Sequence, residues 1–340
     1  MNPMLLVTAS LGDKIDTAFY GFDMWVYSIF GSLQCGFLTV VAKIFTAFGD
    51  ERFVIPMAVL GVVMCFFKRT RKYGFSLLFA IAIGTIVTNV LVKPAVLRIR
   101  PYNTLQAKDI WEQYSVWYKN AGALSESDYS FPSGHTTAAF EIAVSMGLCL
   151  RSKGLKKQSY IPLCIAICTM GSRVYLMVHY ATDVIGGMIV GTLAGVCAYF
   201  LAKLACMIFE KVKFLDAIDA EKLFEKIAKK PINTKSGVCA IMAAVVLFFC
   251  ISYIPAMSEG GDSIRCDYSP KYFDGAAYDC QNEAKVDVDK DGNVTYKDDY
   301  PELEGYKGMH FCKIHYKELK ARSEENTKVR IEENAQQANQ

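Results

Sequence analysis

The sequence has little charge for its length. Only 21% of its 340 residues are Asp, Glu, Lys or Arg, whereas 52% are hydrophobic and 13% aromatic. A water-soluble globule of this size would carry more charge, so the composition favours an integral membrane protein. The positive charge forms short runs between apolar segments and no continuous basic face, which excludes a nucleic-acid-binding protein.

The chain also lacks two features of small secreted proteins. Nine of its twelve cysteines precede residue 255, mostly within apolar runs where a thiol behaves as a small hydrophobe, and this excludes a disulfide-stapled miniprotein. The first residues show no short apolar stretch followed by a small-residue cleavage site. We therefore expect no cleaved signal peptide.

The sequence does contain long apolar segments. A helix needs about 20 apolar residues to cross a hydrocarbon core. A further segment, 24–42, is uncharged but rich in Gly, Ser and Gln, so it either spans the membrane or lies along its surface. The sequence thus predicts an all-α, polytopic transmembrane helix bundle of six to seven spans, the six clearer ones being 53–67, 74–97, 136–150, 160–177, 184–209 and 237–254.

The basic residues predict the orientation of the bundle. Short connections rich in Lys and Arg stay in the cytoplasm, and the segments 68–72, 151–157 and 211–235 are all basic. The alternate connections and the tail from residue 256 then lie outside. The resulting predicted division is an N-terminal interfacial or first transmembrane helix (1–48), a catalytic membrane core (49–210), a cytoplasmic amphipathic helix (211–235), an additional transmembrane helix (236–255) and an acidic extracytoplasmic tail (256–340).

Three polar clusters lie at the predicted outer ends of the helices, where ionisable groups are costly and therefore suggest function. They occupy residues 93–101, 131–135 and 172–183. Lys93, Arg100 and Arg173 supply cations suited to phosphate oxygens. Ser133 and Gly134 begin a predicted helix, whose free N–H groups also favour an anion. The sequence therefore predicts a phosphate site.

Two histidines and one aspartate complete this predicted site. His179 and Asp183 are four residues apart, so on one helix the carboxylate would hold one ring nitrogen and leave the other for phosphorus. His179 is then a candidate nucleophile. His135, beside the predicted phosphate cradle, is left as the proton donor to the departing oxygen.

The spacing of these residues resembles a known family. Lys93-x6-Arg100-Pro101, Pro132-Ser-Gly-His135 and Ser172-Arg-x5-His179-x3-Asp183 are similar to the three signature motifs of the type 2 phosphatidic acid phosphatase (PAP2) family, which shares its site with vanadium haloperoxidases. The resemblance covers roughly residues 45–210.

The resemblance implies a mechanism. His179 attacks phosphorus to form a phosphohistidine, Asp183 orients it, and His135 protonates the leaving group before water cleaves the intermediate. The non-bridging oxygens are held without any metal cofactor by Lys93, Arg100, Ser133, Gly134 and Arg173. Arg98 is an additional cation within the first motif, and it either binds a second phosphate or reaches lipid headgroups.

The acidic tail contains a candidate calcium site. An EF-hand loop over residues 287–298 would have Gly292 at its sixth position and an Asp where Glu is usual at its twelfth. The alternative is a polar turn in an acidic surface loop. The candidate calcium ligands are Asp287, Asp289, Asp291, Asn293 and Asp298.

Taken together, the sequence predicts a cell-membrane phosphatase whose active site and C-terminal tail are extracytoplasmic. Its partner would be a lipid phosphate or diphosphate of the outer leaflet, of the phosphatidate, phosphatidylglycerophosphate or undecaprenyl diphosphate class. Two alternatives stay open: a lipid phosphotransferase that uses the same site, and a catalytically idle membrane scaffold that acts through its tail.

Overall fold

The computed structural model describes residues 10–107, 110–220, 286–287 and 310–311. The helical body begins with α1 (Leu11–Ser32), α2 (Gly36–Thr46), a 3-10 turn (Ala47–Gly49), α3 (Glu51–Cys65) and α4 (Arg71–Thr85). It continues through a π-helical segment (Ile86–Val92), α5 (Lys93–Val96), α6 (Pro101–Ala107), α7 (Trp111–Asn120), α8 (Gly134–Ser152), α9 (Tyr160–Tyr175), α10 (Ala181–Lys211) and α11 (Lys213–Asp216).

The tail is described only at two short strands. β1 (Val286–Asp287) pairs antiparallel with β2 (His310–Phe311). The predicted span 237–254, the amphipathic segment beyond residue 220 and the candidate calcium ligands other than Asp287 lie outside the described residues. These predictions, and the predicted division of the chain, stay predictions.

Helices α4, α8, α9 and α10 form the centre of the body. The long helix α10 packs along both α8 and α4, and α8 also packs against α9. Glycines on α10 allow the close approach to α8: a Cβ at Gly187 would lie 2.7 Å from the Ser133 carbonyl oxygen, and one at Gly195 would lie 2.8 Å from Val144 Cβ. The contact holds the N-terminal ends of α8 and α10 together, and both ends belong to the predicted site.

The N-terminal segment differs from the prediction of one helix over 24–42. The chain turns at residues 33–35, so that α1 ends at Ser32 and α2 begins at Gly36 with Cys35 as its N-cap. Helix α1 starts with a capping box in which Ser10 and Asp13 bond each other's backbone N–H groups. The helix then packs against α5, α9 and α10, which places it beside the first and third motifs.

The outer surface of the body is apolar. Large hydrophobic side chains on α3 and α10 are more than half exposed, among them Val59, Leu193 and Phe200. Water would disfavour such a surface, whereas lipid chains would cover it. Within the described ranges, the continuous stretch Arg71–Gln106 and the helix Ala181–Lys211 are long and apolar enough to cross a membrane. The all-α prediction is confirmed for the helical body, and the number of spans stays a prediction.

Candidate active site

The three polar clusters predicted from the sequence meet at one end of the body. Leu97 ends α5 in a left-handed conformation (φ 58°), which turns the chain into the segment that carries Arg100. A Cβ at Gly134 would lie 3.7 Å from Lys93 Nζ, so the first cluster touches the second. The Ser133 N–H donates to the Asp183 carbonyl oxygen (3.0 Å), so the second touches the third.

The second cluster forms a helix N-terminus, as predicted. Ser133 is the N-cap of α8, and its buried Oγ accepts hydrogen bonds from the N–H (3.4 Å) and the Oγ1 (3.0 Å) of Thr136. Helix α8 begins at Gly134, which has no side chain to block approach to the first free N–H groups. This end of the helix therefore offers donors and a positive dipole to an anion.

His179 is held in a hydrogen-bonded chain with Asp183. Its Nδ1 lies 3.3 Å from the Ser130 hydroxyl, which donates to Asp183 Oδ2 (2.5 Å), and Nδ1 is itself 3.5 Å from that oxygen. His179 precedes α10, so the two residues do not share a helix face as predicted, but the turn still brings them together. Nδ1–H can donate to Ser130, and this leaves the lone pair on Nε2.

The surroundings of His179 favour its neutral form. Burial lowers its pKa well below the usual value, and the nearby guanidinium groups of Arg100 and Arg173 lower it further. Arg100 Nη1 lies 3.2 Å from Nε2. A neutral imidazole whose lone pair faces fixed positive charge is chemically suited to attack an anionic phosphate that the same cations bind.

The three cations of the predicted phosphate site are buried and face two acidic residues. Asp128 forms ion pairs with both Lys93 and Arg100 through different oxygens, and Glu126 forms an ion pair with Arg173. Nothing in the sequence pattern indicated these two acids. They lie in the irregular connection between α7 and α8, where no periodicity marks a residue as facing the site.

The cations determine the ionisation of both acids. Burial opposes ionisation of Asp128, but Lys93 and Arg100 outweigh it and lower the pKa of Asp128 to about 2. Burial likewise opposes ionisation of Glu126, and Arg173 and Arg100 hold its pKa well below the usual range. Both carboxylates are therefore charged at any pH near neutrality.

His135 lies between the carboxylates of Asp50 and Glu126. Its Nε2 is 3.8 Å from Asp50 Oδ2, and its Nδ1 is 3.9 Å from Glu126 Oε1. Asp50 is the N-cap of α3, and the preceding Gly49 contacts the His135 backbone so closely that a Cβ there would lie 2.6 Å from His135 Cα. Burial alone would raise the pKa of Asp50, but His135 and the Arg52 N–H lower it. The position of Asp50 near His135 was not predicted.

Comparison with known proteins agrees with this geometry. The family model of the PAP2 superfamily matches residues 73–205, which lie inside the region of the predicted resemblance. The chain is 29% identical over 172 residues to undecaprenyl-diphosphatase from Sulfolobus acidocaldarius, covering 51% of this chain and 74% of that protein. It is 31% identical over 166 residues to phosphatidylglycerophosphatase B from Bacillus subtilis, covering 46% of this chain and 70% of that protein. The chain belongs to the PAP2 superfamily.

The PAP2 assignment confirms the family predicted from the three motifs and makes this protein a membrane phosphatase. One solved structure is also similar, a transmembrane PAP2 type phosphatidylglycerolphosphate phosphatase from Bacillus subtilis. It is 28% identical and covers 57% of this chain and 89% of that chain, with a TM-score of 0.44. The family assignment depends on the sequence matches.

Arg98, the additional cation of the first PAP2 motif, has a different role from either predicted one. It is buried, and its guanidinium donates to Asp16 (2.8 Å), Asp23 (2.8 Å) and Asp183 (2.6 Å) while it lies 4.3 Å from the centre of the Tyr180 ring. These donors face inward. Binding to a second phosphate or to lipid headgroups was therefore the wrong interpretation, and Arg98 joins α1 to the aspartate of the third motif.

Helix α1 is thus part of the wall of the site. Tyr27 donates to the His179 carbonyl oxygen (3.0 Å), and Asp23 accepts from the N–H (2.9 Å) and the hydroxyl (2.7 Å) of Thr182. A Cβ at Gly12 would lie 2.7 Å from Arg98 N, so the start of the helix packs directly on the first motif. Acidic residues at 16 and 23, seven apart and therefore on one face of α1, are the sequence signal that could have indicated this contact.

Proposed function

We propose that this protein hydrolyses a lipid phosphate or diphosphate through a phosphohistidine on His179, without a metal ion. The observation that carries the proposal is the environment of His179: Nδ1 is held by Ser130 and Asp183, while Nε2 faces the guanidinium of Arg100. This arrangement presents one nitrogen lone pair to a group bound by the cations. Positive side chains would take the part that a metal ion has in other phosphoryl-transfer sites.

The proposed reaction has two steps. In the first, Nε2 of His179 forms a bond to phosphorus, the bond from phosphorus to the leaving oxygen breaks, and His135 donates a proton to that oxygen. In the second, His135 accepts a proton from water as the water oxygen attacks phosphorus and the bond from phosphorus to nitrogen breaks. Inorganic phosphate is released and neutral His179 is regenerated, so the atoms and protons balance.

The charges that develop on the phosphate oxygens would be held by groups already in place. Lys93, Arg100 and Arg173 lie around the N-terminus of α8, where Ser133 and Gly134 contribute the helix end. Arg173 Nε has no hydrogen-bond partner among the described residues, so it is an additional donor for an oxygen. Such preorganised donors stabilise the transition state without further rearrangement.

The relatives support a lipid substrate. The matched proteins are named for undecaprenyl diphosphate, phosphatidylglycerophosphate and other lipid phosphates, each with a phosphate beside an apolar chain. The apolar exterior of this helical body would place the substrate at the membrane. We propose an outer-leaflet lipid with the site on the extracytoplasmic side, as the basic connections predict. A catalytically idle scaffold is disfavoured, because all motif residues are present.

The test is phosphate release by the purified full-length chain in detergent. Phosphatidate, phosphatidylglycerophosphate and undecaprenyl diphosphate would be supplied separately, with and without EDTA. We expect turnover of at least one lipid, unchanged by EDTA and abolished by His179→Ala. Glu112→Gln, an exposed charge removal on α7, is the control. Activity retained in His179→Ala would remove the nucleophile assignment, and loss of activity in EDTA would remove metal independence.

Isotope labelling separates hydrolysis from phosphotransfer. If water accepts the phosphoryl group, reaction in oxygen-18 water places the label in released phosphate. If an alcohol accepts it, a new phosphate ester forms and no labelled inorganic phosphate is released. The second result would replace the hydrolase by a phosphotransferase on the same residues.

A further inference from the structure

The cation cluster of the site is already occupied by carboxylates of the chain itself. Asp128 places one oxygen on Lys93 and the other on Arg100, and Glu126 binds Arg173. An oxyanion bridging two cations through separate oxygens is also how a phosphate group would bind. Glu126 and Asp128 thus occupy the same donors that the proposed reaction needs.

The acids lie on the open side of the cluster. The side chains of Asp128 and Glu126 are 37% and 29% exposed, whereas those of Lys93, Arg100 and Arg173 are 9%, 1% and 2% exposed. A phosphate that arrives from solvent or from the membrane surface therefore meets the carboxylates first. It cannot reach the cations unless the acids move.

The acids are also the partners that can move. The two arginines are held by other hydrogen bonds. Arg100 donates to the Val178 carbonyl oxygen (3.0 Å), and Arg173 donates to the Thr46 hydroxyl (2.7 Å). Glu126 and Asp128 instead belong to an irregular connection that has no helix between Asn120 and Gly134. The backbone of this connection is held, since Arg100 Nε donates to the Asp128 carbonyl oxygen (2.8 Å) and the Glu126 N–H donates to the Tyr102 hydroxyl (3.1 Å). Rotation of the two partly exposed side chains, without movement of the backbone, is therefore what would release the cations.

We propose that Glu126 and Asp128 form a carboxylate latch that is exchanged for the phosphate group of the substrate and so lowers the affinity of the site for phosphate. The proposal rests on the proposed function, because it assigns the same cations to phosphate. An incoming group must compensate for two displaced negative charges. This cost is the same for every incoming anion, so the latch lowers affinity and leaves unchanged the preference of the three cations for a phosphate with two negative charges, as in a monoester or the terminal group of a diphosphate, over a singly charged diester.

Protonation does not open this latch near neutral pH. The lowered pKa of both carboxylates keeps them charged, so displacement by another anion is what releases the cations. Arg100 also changes partner in this exchange. Displacement of Asp128 frees Arg100 Nη2 for a phosphate oxygen, while Nη1, which lies 3.2 Å from Nε2 of His179, stays on the Val178 carbonyl oxygen.

The test measures binding of inorganic phosphate to the purified full-length chain by calorimetry. Asp128→Asn and Glu126→Gln keep the shape and hydrogen-bonding capacity of each side chain but remove its charge. We expect each variant to bind phosphate about tenfold more tightly than wild type, because a competing ion pair is lost. Unchanged or weaker binding in both variants would overturn the latch and would mean that the acids hold the cations in place.

Dimethyl phosphate supplies the charge control. It carries one negative charge, so we expect it to bind wild type more weakly than inorganic phosphate and to gain affinity by about the same factor in the Glu126→Gln/Asp128→Asn double variant. A gain limited to inorganic phosphate would contradict a displacement cost shared by both anions. Glu112→Gln should bind both anions as wild type does.

Binding and turnover separate the two proposals. If the variants bind phosphate more tightly but no lipid phosphate is hydrolysed by wild type, the latch stands and the proposed function fails. If lipid phosphates are hydrolysed but neither variant changes phosphate affinity or the KM for lipid, the proposed function stands and the latch fails.

Discussion

Arg98 Nη1 donates to Asp183 Oδ1 at 2.6 Å, and both side chains are almost completely buried. The same guanidinium binds Asp16 and Asp23 of the N-terminal helix, so one cation is shared among three carboxylates. The contact connects α1 to the aspartate that supports His179. It also explains why an additional arginine in the first motif does not reach solvent or lipid.

Removal of the Arg98 guanidinium should strongly destabilise the fold and abolish activity. Arg98→Ala leaves three buried or half-buried carboxylates without their cation, and breaking a buried ion pair in this way costs about 3–5 kcal/mol. We expect a large drop in the thermal unfolding midpoint and no turnover. Arg98→Lys keeps the charge but cannot reach three carboxylates at once, so it should fold and show reduced kcat. An Arg98→Lys variant with wild-type kcat would contradict this role.

Asp23→Asn tests whether α1 acts on the catalytic pair electrostatically. Asn can still accept from Thr182, so the fold should be kept, but Arg98 then acts more strongly on Asp183. We expect kcat to fall about tenfold with little change in KM, a size typical of a lost supporting contact. The imidazolium of His179 loses nearby negative charge, so the acid limb of the kcat/KM profile should move to lower pH.

A matched control distinguishes this effect from a general loss of the helix. Asp13→Asn removes a charge from the same helix at an exposed position, outside the contacts of Arg98. It should leave the pH profile in place even if it weakens the capping box. An acid limb that is unmoved in Asp23→Asn, or that moves equally in both variants, would contradict an electrostatic role for Asp23.

Only some residues of the site could be predicted from the sequence. Lys93, Arg100, His135 and His179 could be predicted because family spacing fixes them and because charge is rare in so apolar a chain. The positions of Glu126 and Asp128 in the site could not be predicted. Asp128 sits in an irregular connection and its partners are 28 and 35 residues away, so its contacts arise only from tertiary packing.

The fold shows the same division. Helices α8, α9 and α10 follow from apolar length and from Ser133 as an N-cap, both local properties. The break between α1 and α2 does not, because residues 24–42 read as one uncharged segment. What separates the two helices is a tertiary contact: the Cys35 N–H donates to the Tyr175 hydroxyl (3.1 Å), which itself donates to the Cys35 carbonyl oxygen (3.0 Å).

The lowered pKa values of Glu126 and Asp128 predict how stability depends on pH. A carboxylate with a depressed pKa contributes stability that is fully present above its unfolded-state value, near 4, and is lost as pH falls toward the folded-state value, about 2 for Asp128. We expect the thermal midpoint of wild type to be flat near neutrality and to fall below about pH 4. Asp128→Asn should lose part of that fall. An identical acid profile in the variant would contradict the prediction.

A buried carboxyl group in the centre of the body lies directly against Gly84. Glu141 on α8 lies against α4 so closely that any Cβ at Gly84 would overlap its Oε2, and that oxygen has no hydrogen-bond partner among the described residues. Gly84→Ala should therefore lower the thermal midpoint although alanine favours a helix by about 1 kcal/mol. Glu141→Ala in the same chain should recover much of the loss. No recovery would show that another contact causes the effect.

The proton-donor role of His135 should depend on Asp50, and substrates with different leaving groups can test this. Asn caps a helix as well as Asp does, so Asp50→Asn should keep α3 intact while it removes a negative charge 3.8 Å from His135 Nε2. The imidazolium is then less stabilised, and the basic limb of the kcat profile should move to lower pH. Hydrolysis of a lipid monoester, whose alkoxide needs a proton, should slow more than hydrolysis of p-nitrophenyl phosphate, whose leaving group does not. Glu51→Gln, exposed one residue later, should change neither rate. Equal slowing of both substrates in Asp50→Asn would mean that Asp50 supports the fold and not the proton donor.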